Sequence, residues 1–274
     1  DSQSTMATDK IVKSPSTESR GVTAVKAVPK GYHAKRKYPI WQIVAGWMVH
    51  FYTGLGLPIN FYAVRCLFVE HDFRMFLFMN IVAVFVDATD GTLARAVDIK
   101  NCIPTFDGSL LDNVVDFLTF SFMPSIAISA AEILPTGELE LLCAFLCLFA
   151  SGYQFCQATA KTTDSFIGFP SYWNLLLWYL VILRPSTTVV VTSYVVCCVL
   201  SFVPIHFIYP SRCKKLAYLT VPLGVIWALM LASPLYYWDG KGPLQLGKDL
   251  VFYSLFYPVY YTVASLYLWA KGDI

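Results

Sequence analysis

From residue 41 onward the chain is a succession of apolar runs separated by short polar stretches. Crossing a bilayer takes roughly 20 predominantly apolar residues in a helix. Eight runs approach that length, at 41–68, 73–92, 109–133, 139–159, 168–184, 186–208, 214–236 and 249–270. They predict an all-α, polytopic membrane helix bundle of about eight transmembrane helices. Ser171 to Arg184 is short for a span and Pro185 interrupts the pattern, so runs five and six read either as two spans or as one broken helix. With eight spans both ends of the chain lie on the same side.

Composition strengthens this reading. A chain of 274 residues that is 57% hydrophobic and 14% charged has too little polar surface for a soluble globule. If that shared side is cytoplasmic, it carries fifteen of the twenty Lys and Arg, leaving Arg65, Arg74, Arg184, Lys241 and Lys248 on the other. Positive charge is retained on the cytoplasmic face, so both termini are expected there. A net charge of +2 gives no sign of nucleic-acid binding.

Residues 1–28 are rich in Ser, Thr, Lys and Val without periodicity and read as a disordered N-terminal tail, a truncated or processed end since it opens on Asp1. No apolar stretch follows a basic start, so it does not read as a secretory signal. Residues 29–40 form a basic juxtamembrane segment, in which Lys30, His33, Lys35, Arg36 and Lys37 alternate with Tyr32 and Tyr38. Such a segment suits an anionic lipid surface or simply a solvated flank. Residues 41–274 read as one continuous transmembrane domain. The eight cysteines are scattered through apolar runs and read as small core residues, not as a zinc site or disulfide framework.

Six of the eighteen acidic residues fall between 87 and 116: Asp87, Asp90, Asp98, Asp107, Asp112 and Asp116. A charged group within a span costs about 2.5 to 3.5 kcal/mol on insertion scales and usually marks function. Helical spacing puts Asp87 with Asp90, and Asp112 with Asp116, on shared faces. A tight hairpin then turns the two pairs toward each other. Four converging carboxylates need cations, and hard oxygen donors suit Mg²⁺ or Mn²⁺. Gly91 and Gly108 leave room for a phosphate, and Arg95 offers it a planar fork. Asp98 and Asp107 read as solvated loop acids. His50, within the first run, reads as a packed helix residue.

The string DATDGTLAR from Asp87 to Arg95, followed by GSLLDNVVD from Gly108 to Asp116, resembles the signature of the CDP-alcohol phosphatidyltransferases at every position. Twelve residues separate Arg95 from Gly108, more than in most of that family. In this, and in GWMVHFYTGLG from Gly46, DFRMFLFMN from Asp72, KTTDSFIGFPSYWN from Lys161 and FVPIHFIYPSR from Phe202, the chain is similar to the branch that makes phosphatidylcholine from CDP-diacylglycerol and choline.

The resemblance implies that Asp87, Asp90, Asp112 and Asp116 ligate two metal ions, with Asp116 also a general base. It implies that Gly91, Thr92, Arg95 and Gly108 line the CDP group, that no water-soluble cofactor beyond the metals is needed, and that the chain forms a homodimer. Such a site faces the cytoplasm from a bacterial inner membrane, with a eukaryotic organelle membrane as the other setting. Serine, inositol or glycerol phosphate are the alternative acceptors. A transporter or a noncatalytic scaffold would explain the spans but not the clustered acids. A quaternary ammonium is held by aromatic faces and a carboxylate, for which Asp164, Tyr172 and Trp173, with Phe166 and Phe169, are the candidates.

Overall fold

The structure is a computed structural model that describes residues 38–135, 137–162, 164–209, 216–240 and 242–274. The tail 1–28 and the basic residues Lys30, His33, Lys35, Arg36 and Lys37 lie outside the described residues, as do Arg212, Lys214, Lys215 and Lys241.

The described elements are α1 (Ile40–Gly54), α2 (Gly56–Phe68), α3 (Phe73–Ala96), the one-turn α4 (Ile99–Cys102), α5 (Gly108–Phe117), a π-helical turn (Leu118–Phe122), α6 (Met123–Ala130), α7 (Glu138–Cys156), β1 (Ser165–Ile167), α8 (Trp173–Leu183), α9 (Thr187–Phe202), β2 (His206–Ile208), α10 (Ala217–Tyr236), α11 (Gln245–Ser254) and α12 (Phe256–Ala270). Together they make a helical membrane bundle. Among the described residues, four helices are long and apolar enough to cross a membrane by themselves: α3, the continuous Gly108–Ala130, α7 and α10.

Proline explains where the other rods break. Pro58 and Pro258 have no N–H to offer the carbonyls of Gly54 and Ser254, so the first apolar run divides at Leu55 and the last at Leu255. Pro124 likewise removes the donor for the Phe120 carbonyl, and the turn ahead of it opens into the π-helix.

Runs five and six are two helices, α8 and α9, with Arg184 in the left-handed region at the end of α8 and Pro185 in the connection. The broken single helix is thereby excluded. Helix α8 starts later than expected, because Gly168 has a positive φ of 82° and Pro170 follows it. At 11 residues it rises only about 16 Å, half the hydrocarbon thickness. Run six also departs from the expectation: Pro204 follows the end of α9, and His206–Ile208 turns into a strand that pairs antiparallel with β1, Phe166 opposite Phe207.

Helix α8 lies at the heart of the main buried cluster. Trp173, Leu177, Trp178 and Ile182 are buried in a cluster that gathers Phe76 and Leu77 of α3, Met123 and Ile128 of α6, Cys143 and Cys147 of α7, and Tyr194 of α9. One end of the bundle is tied by arginines to helix ends: Arg74 donates to the Leu235 carbonyl (2.8 Å) and Arg184 to that of Glu132 (3.1 Å). The acidic residues gather at the opposite end.

Candidate active site

The last turns of α3 carry Asp87, Asp90, Gly91, Thr92 and Arg95, and α5 runs back beside them carrying Asp112 and Asp116. Asp107 caps α5 by accepting the Leu110 N–H (3.1 Å), so it has a structural task. Asp98 sits in the left-handed region, where it accepts from the Asn101 amide (2.7 Å) and the Tyr38 hydroxyl (3.2 Å). The twelve-residue spacer holds α4. Its Ile99, Cys102 and Ile103 pack on Val49 of α1, and a side chain at Gly46 would collide with Ile103.

This frame brings one carboxylate oxygen each from Asp87, Asp112 and Asp116 within 4.8 Å of one another. Asp116 is buried, whereas Asp87 and Asp112 are half-buried. The fourth aspartate of the motif is held apart from this group. Asp90 is buried against α1, where Thr53 donates to its Oδ2 at 2.8 Å. One residue earlier on each helix the Tyr52 and Thr89 hydroxyls also meet (2.8 Å), so α1 clamps α3 by two hydrogen bonds.

Arg95 lies along its own helix: it donates to the Thr92 hydroxyl (3.0 Å), and its guanidinium passes over Gly91. Gly108 has a different neighbour from the one expected. A Cβ there would run into the imidazole of His50, 2.9 Å from Nδ1. The glycine therefore admits His50, whose ring also packs on Phe106 at a centroid distance of 4.4 Å.

The candidate acceptor residues separate. Trp173 is fully buried, stacked on Tyr194 (5.6 Å) and edge-on to Phe169 (5.2 Å), so it belongs to the core and is not brought to the carboxylates. Large aromatic area at the start of a half-length helix is better buried in protein than left at a surface. Tyr172, one residue earlier, faces the other way and lies within electrostatic reach of Asp87. Its ring is 6.4 Å from both Phe120 and Phe166, and Phe166 in turn meets Tyr209 edge-on at 4.5 Å. Tyr261 of α12, near Tyr172, donates to the Ile208 carbonyl (2.8 Å). Asp164 is fixed through its backbone, where its carbonyl accepts the Tyr209 N–H (2.9 Å).

One charged neighbour is absent from the motif. Lys161, in the connection after α7, places its ammonium 3.5 Å from Asp116 Oδ2. Burial opposes its charge, but Asp116 and Asp112, with Tyr209 and Asp87, outweigh that and hold its pKa above the ordinary lysine value.

No family model matches the chain. Among curated proteins it is similar to the phosphatidylcholine synthase of Borreliella burgdorferi, with 32% identity over 230 residues, 84% of this chain and 96% of that protein. It is 37% identical over 188 residues to the enzyme of that name from Legionella pneumophila, covering 68% of this chain and 72% of the other. The Mesorhizobium japonicum protein of the same name is 30% identical over 246 residues, 87% of this chain and 89% of its own length.

Proposed function

Because the chain belongs to the phosphatidylcholine synthase family, we propose that it transfers the phosphatidyl group of CDP-diacylglycerol to choline with release of CMP, using divalent metal ions. The observation that carries this is the meeting of Asp87, Asp112 and Asp116 at the end of two adjoining helices that also bear Gly91, Arg95 and Gly108.

The donor set fits the metal. Mg²⁺ and Mn²⁺ bind oxygen at about 2.0 to 2.2 Å, so oxygens within 4.8 Å of one another can share an ion with small adjustment. Asp87, Asp112 and Asp116 would hold it, and Asp90, steadied by Thr53, keeps an oxygen for a second ion. Bound there, the metals would neutralise the pyrophosphate and stabilise the departing CMP.

The residues of the chain do the rest. Asp116 takes the proton of the choline hydroxyl as that oxygen bonds to the phosphorus bearing diacylglycerol. The bond from this phosphorus to the bridging oxygen breaks, and CMP leaves with that oxygen. Arg95 and Thr92 flank Gly91 on the nucleotide side, and His50 fills the space over Gly108. Tyr172, Phe166 and Tyr209 offer ring faces to the quaternary ammonium, which has no hydrogen-bond donors. Trp173 supports Tyr172 from the core.

The site faces the cytoplasm of a bacterial inner membrane in this reading, with both termini on that side and two copies forming the working unit. Arg95, Lys100 and Lys161 lie in or beside the connections at the carboxylate end, as the retention of positive charge on the inner face requires. Purified protein given CDP-diacylglycerol, Mn²⁺ and choline should form phosphatidylcholine and CMP in equal amounts. Activity with serine, inositol or glycerol phosphate and none with choline would overturn the acceptor. No CMP release with any alcohol would overturn the reaction.

A further inference from the structure

Lys161 lies 45 residues beyond Asp116 and belongs to neither helix of the hairpin. Its backbone is nevertheless pinned beside the site. It bridges Phe166 of β1, and the preceding carbonyl of Ala160 accepts the Ile167 N–H (2.9 Å). Its side chain is not pinned, being 45% exposed. A fixed backbone with a half-exposed four-carbon stem lets the ammonium change partners without moving the chain.

The contact with Asp116 conflicts with the work that residue is given. The ammonium lies against Asp116 Oδ2, an oxygen that the choline hydroxyl must reach to give up its proton. It also competes with a divalent ion for the same oxygen. Bound metal and substrate would therefore displace the ammonium, and the anion brought within its reach would be the substrate's own phosphate. That phosphate gathers charge as transfer proceeds, which a charge-assisted hydrogen bond stabilises.

We propose that Lys161 is a substrate-binding residue, released from Asp116 as CDP-diacylglycerol and metal enter and then paired with the phosphoryl group that is transferred. This rests on the reaction assigned above and adds to it a side chain that the helical motif does not contain. The transferred phosphoryl is part of CDP-diacylglycerol and is missing from CMP, so the two ligands report on it separately.

The test uses the full chain in detergent, as wild type, Lys161→Met and Lys161→Arg. Mn²⁺ binding without substrate is followed by the free-ion resonance signal, and binding of CDP-diacylglycerol and of CMP is measured without choline. In Lys161→Met, CDP-diacylglycerol should bind about tenfold or more weakly, CMP should bind as in wild type, and Mn²⁺ should bind severalfold more tightly. Lys161→Arg should restore most of the CDP-diacylglycerol affinity. Tighter Mn²⁺ with unchanged CDP-diacylglycerol binding would make Lys161 a mere counter-ion and overturn the proposal. Equal losses for CDP-diacylglycerol and CMP would also overturn it, as damage to the whole site. Should Lys161→Met not fold, Lys161→Gln carries the same comparison. A wild-type protein that binds neither nucleotide ligand would instead remove the parent reading.

Discussion

Along the hairpin of α3 and α5, helical spacing places every acid on a continuous rod, whereas the groups across from them arrive from five separate stretches of chain. Lys161 follows α7, Phe166 lies in β1, Tyr172 precedes α8, Tyr209 follows β2 and Tyr261 belongs to α12. A charge cluster tolerates little misplacement, and the clamp of α1 on α3 supplies rigidity on one side of it. Ring faces around a soft cation are more forgiving and can be assembled from loops. On the proposed reaction the hairpin would carry the chemistry, and the aromatic groups of the composite side the choice of acceptor.

Substitutions can break this division, beginning with the largest effect. Asp116→Asn should lower turnover by about 10²- to 10⁴-fold, as loss of a general base does, with the protein still inserted and folded. Asp87→Asn and Asp112→Asn should act alike. Normal turnover of Asp116→Asn with Mn²⁺ supplied would remove the hairpin from the chemistry. Trp173→Ala empties a fully buried site and should cost about 3 to 5 kcal/mol of stability, seen as a lower melting temperature in detergent. Its concentration dependences on choline and CDP-diacylglycerol should stay in step, and a selective loss of choline use would return Trp173 to the acceptor side.

Tyr172→Ala sharpens the comparison from the composite side. It should raise the choline concentration for half-maximal rate by about two- to thirtyfold and leave CDP-diacylglycerol dependence near wild type. The smallest effect is expected at Asp98, although it lies between the two acid pairs. Asn tolerates the left-handed backbone there, its Oδ1 can still accept from Asn101 and its Nδ2 can donate to the Tyr38 hydroxyl, so Asp98→Asn should keep activity within about twofold.

The same contrast governs what could be read beforehand. The apolar runs and the facing acids follow from local periodicity, and the bundle and the meeting of Asp87, Asp112 and Asp116 both appear in the structure. Thr53 on Asp90 and His50 over Gly108 depend on where α1 lies against the hairpin, which no spacing within either segment encodes. In the sequence Lys161 is only the first residue of KTTDSFIGFPSYWN, with nothing local to pair it with Asp116. Tyr172 and Trp173 are neighbours in sequence yet face opposite ways, since the start of α8 decides which ring enters the core. The end of run six carried a local warning in Pro204, but strand pairing with residues 165–167 is again a matter of distant chain.

The π-helical turn directly after Asp116 works as a phase shifter. An α-helix advances by about 100° per residue, and one wider turn offsets everything beyond it by a comparable angle. The acids of α5 and the packed residues of α6, Ser125 and Ile128 among them, thus keep separate azimuths on what is otherwise one rod. Rewinding 118–122 as ordinary α-helix with its residue count kept would turn one half against the other by about that angle. Either the carboxylates would rotate away from Asp87 or the lower half would unpack from α7 and α8, so the extra residue of that turn and its wider winding have to be kept together.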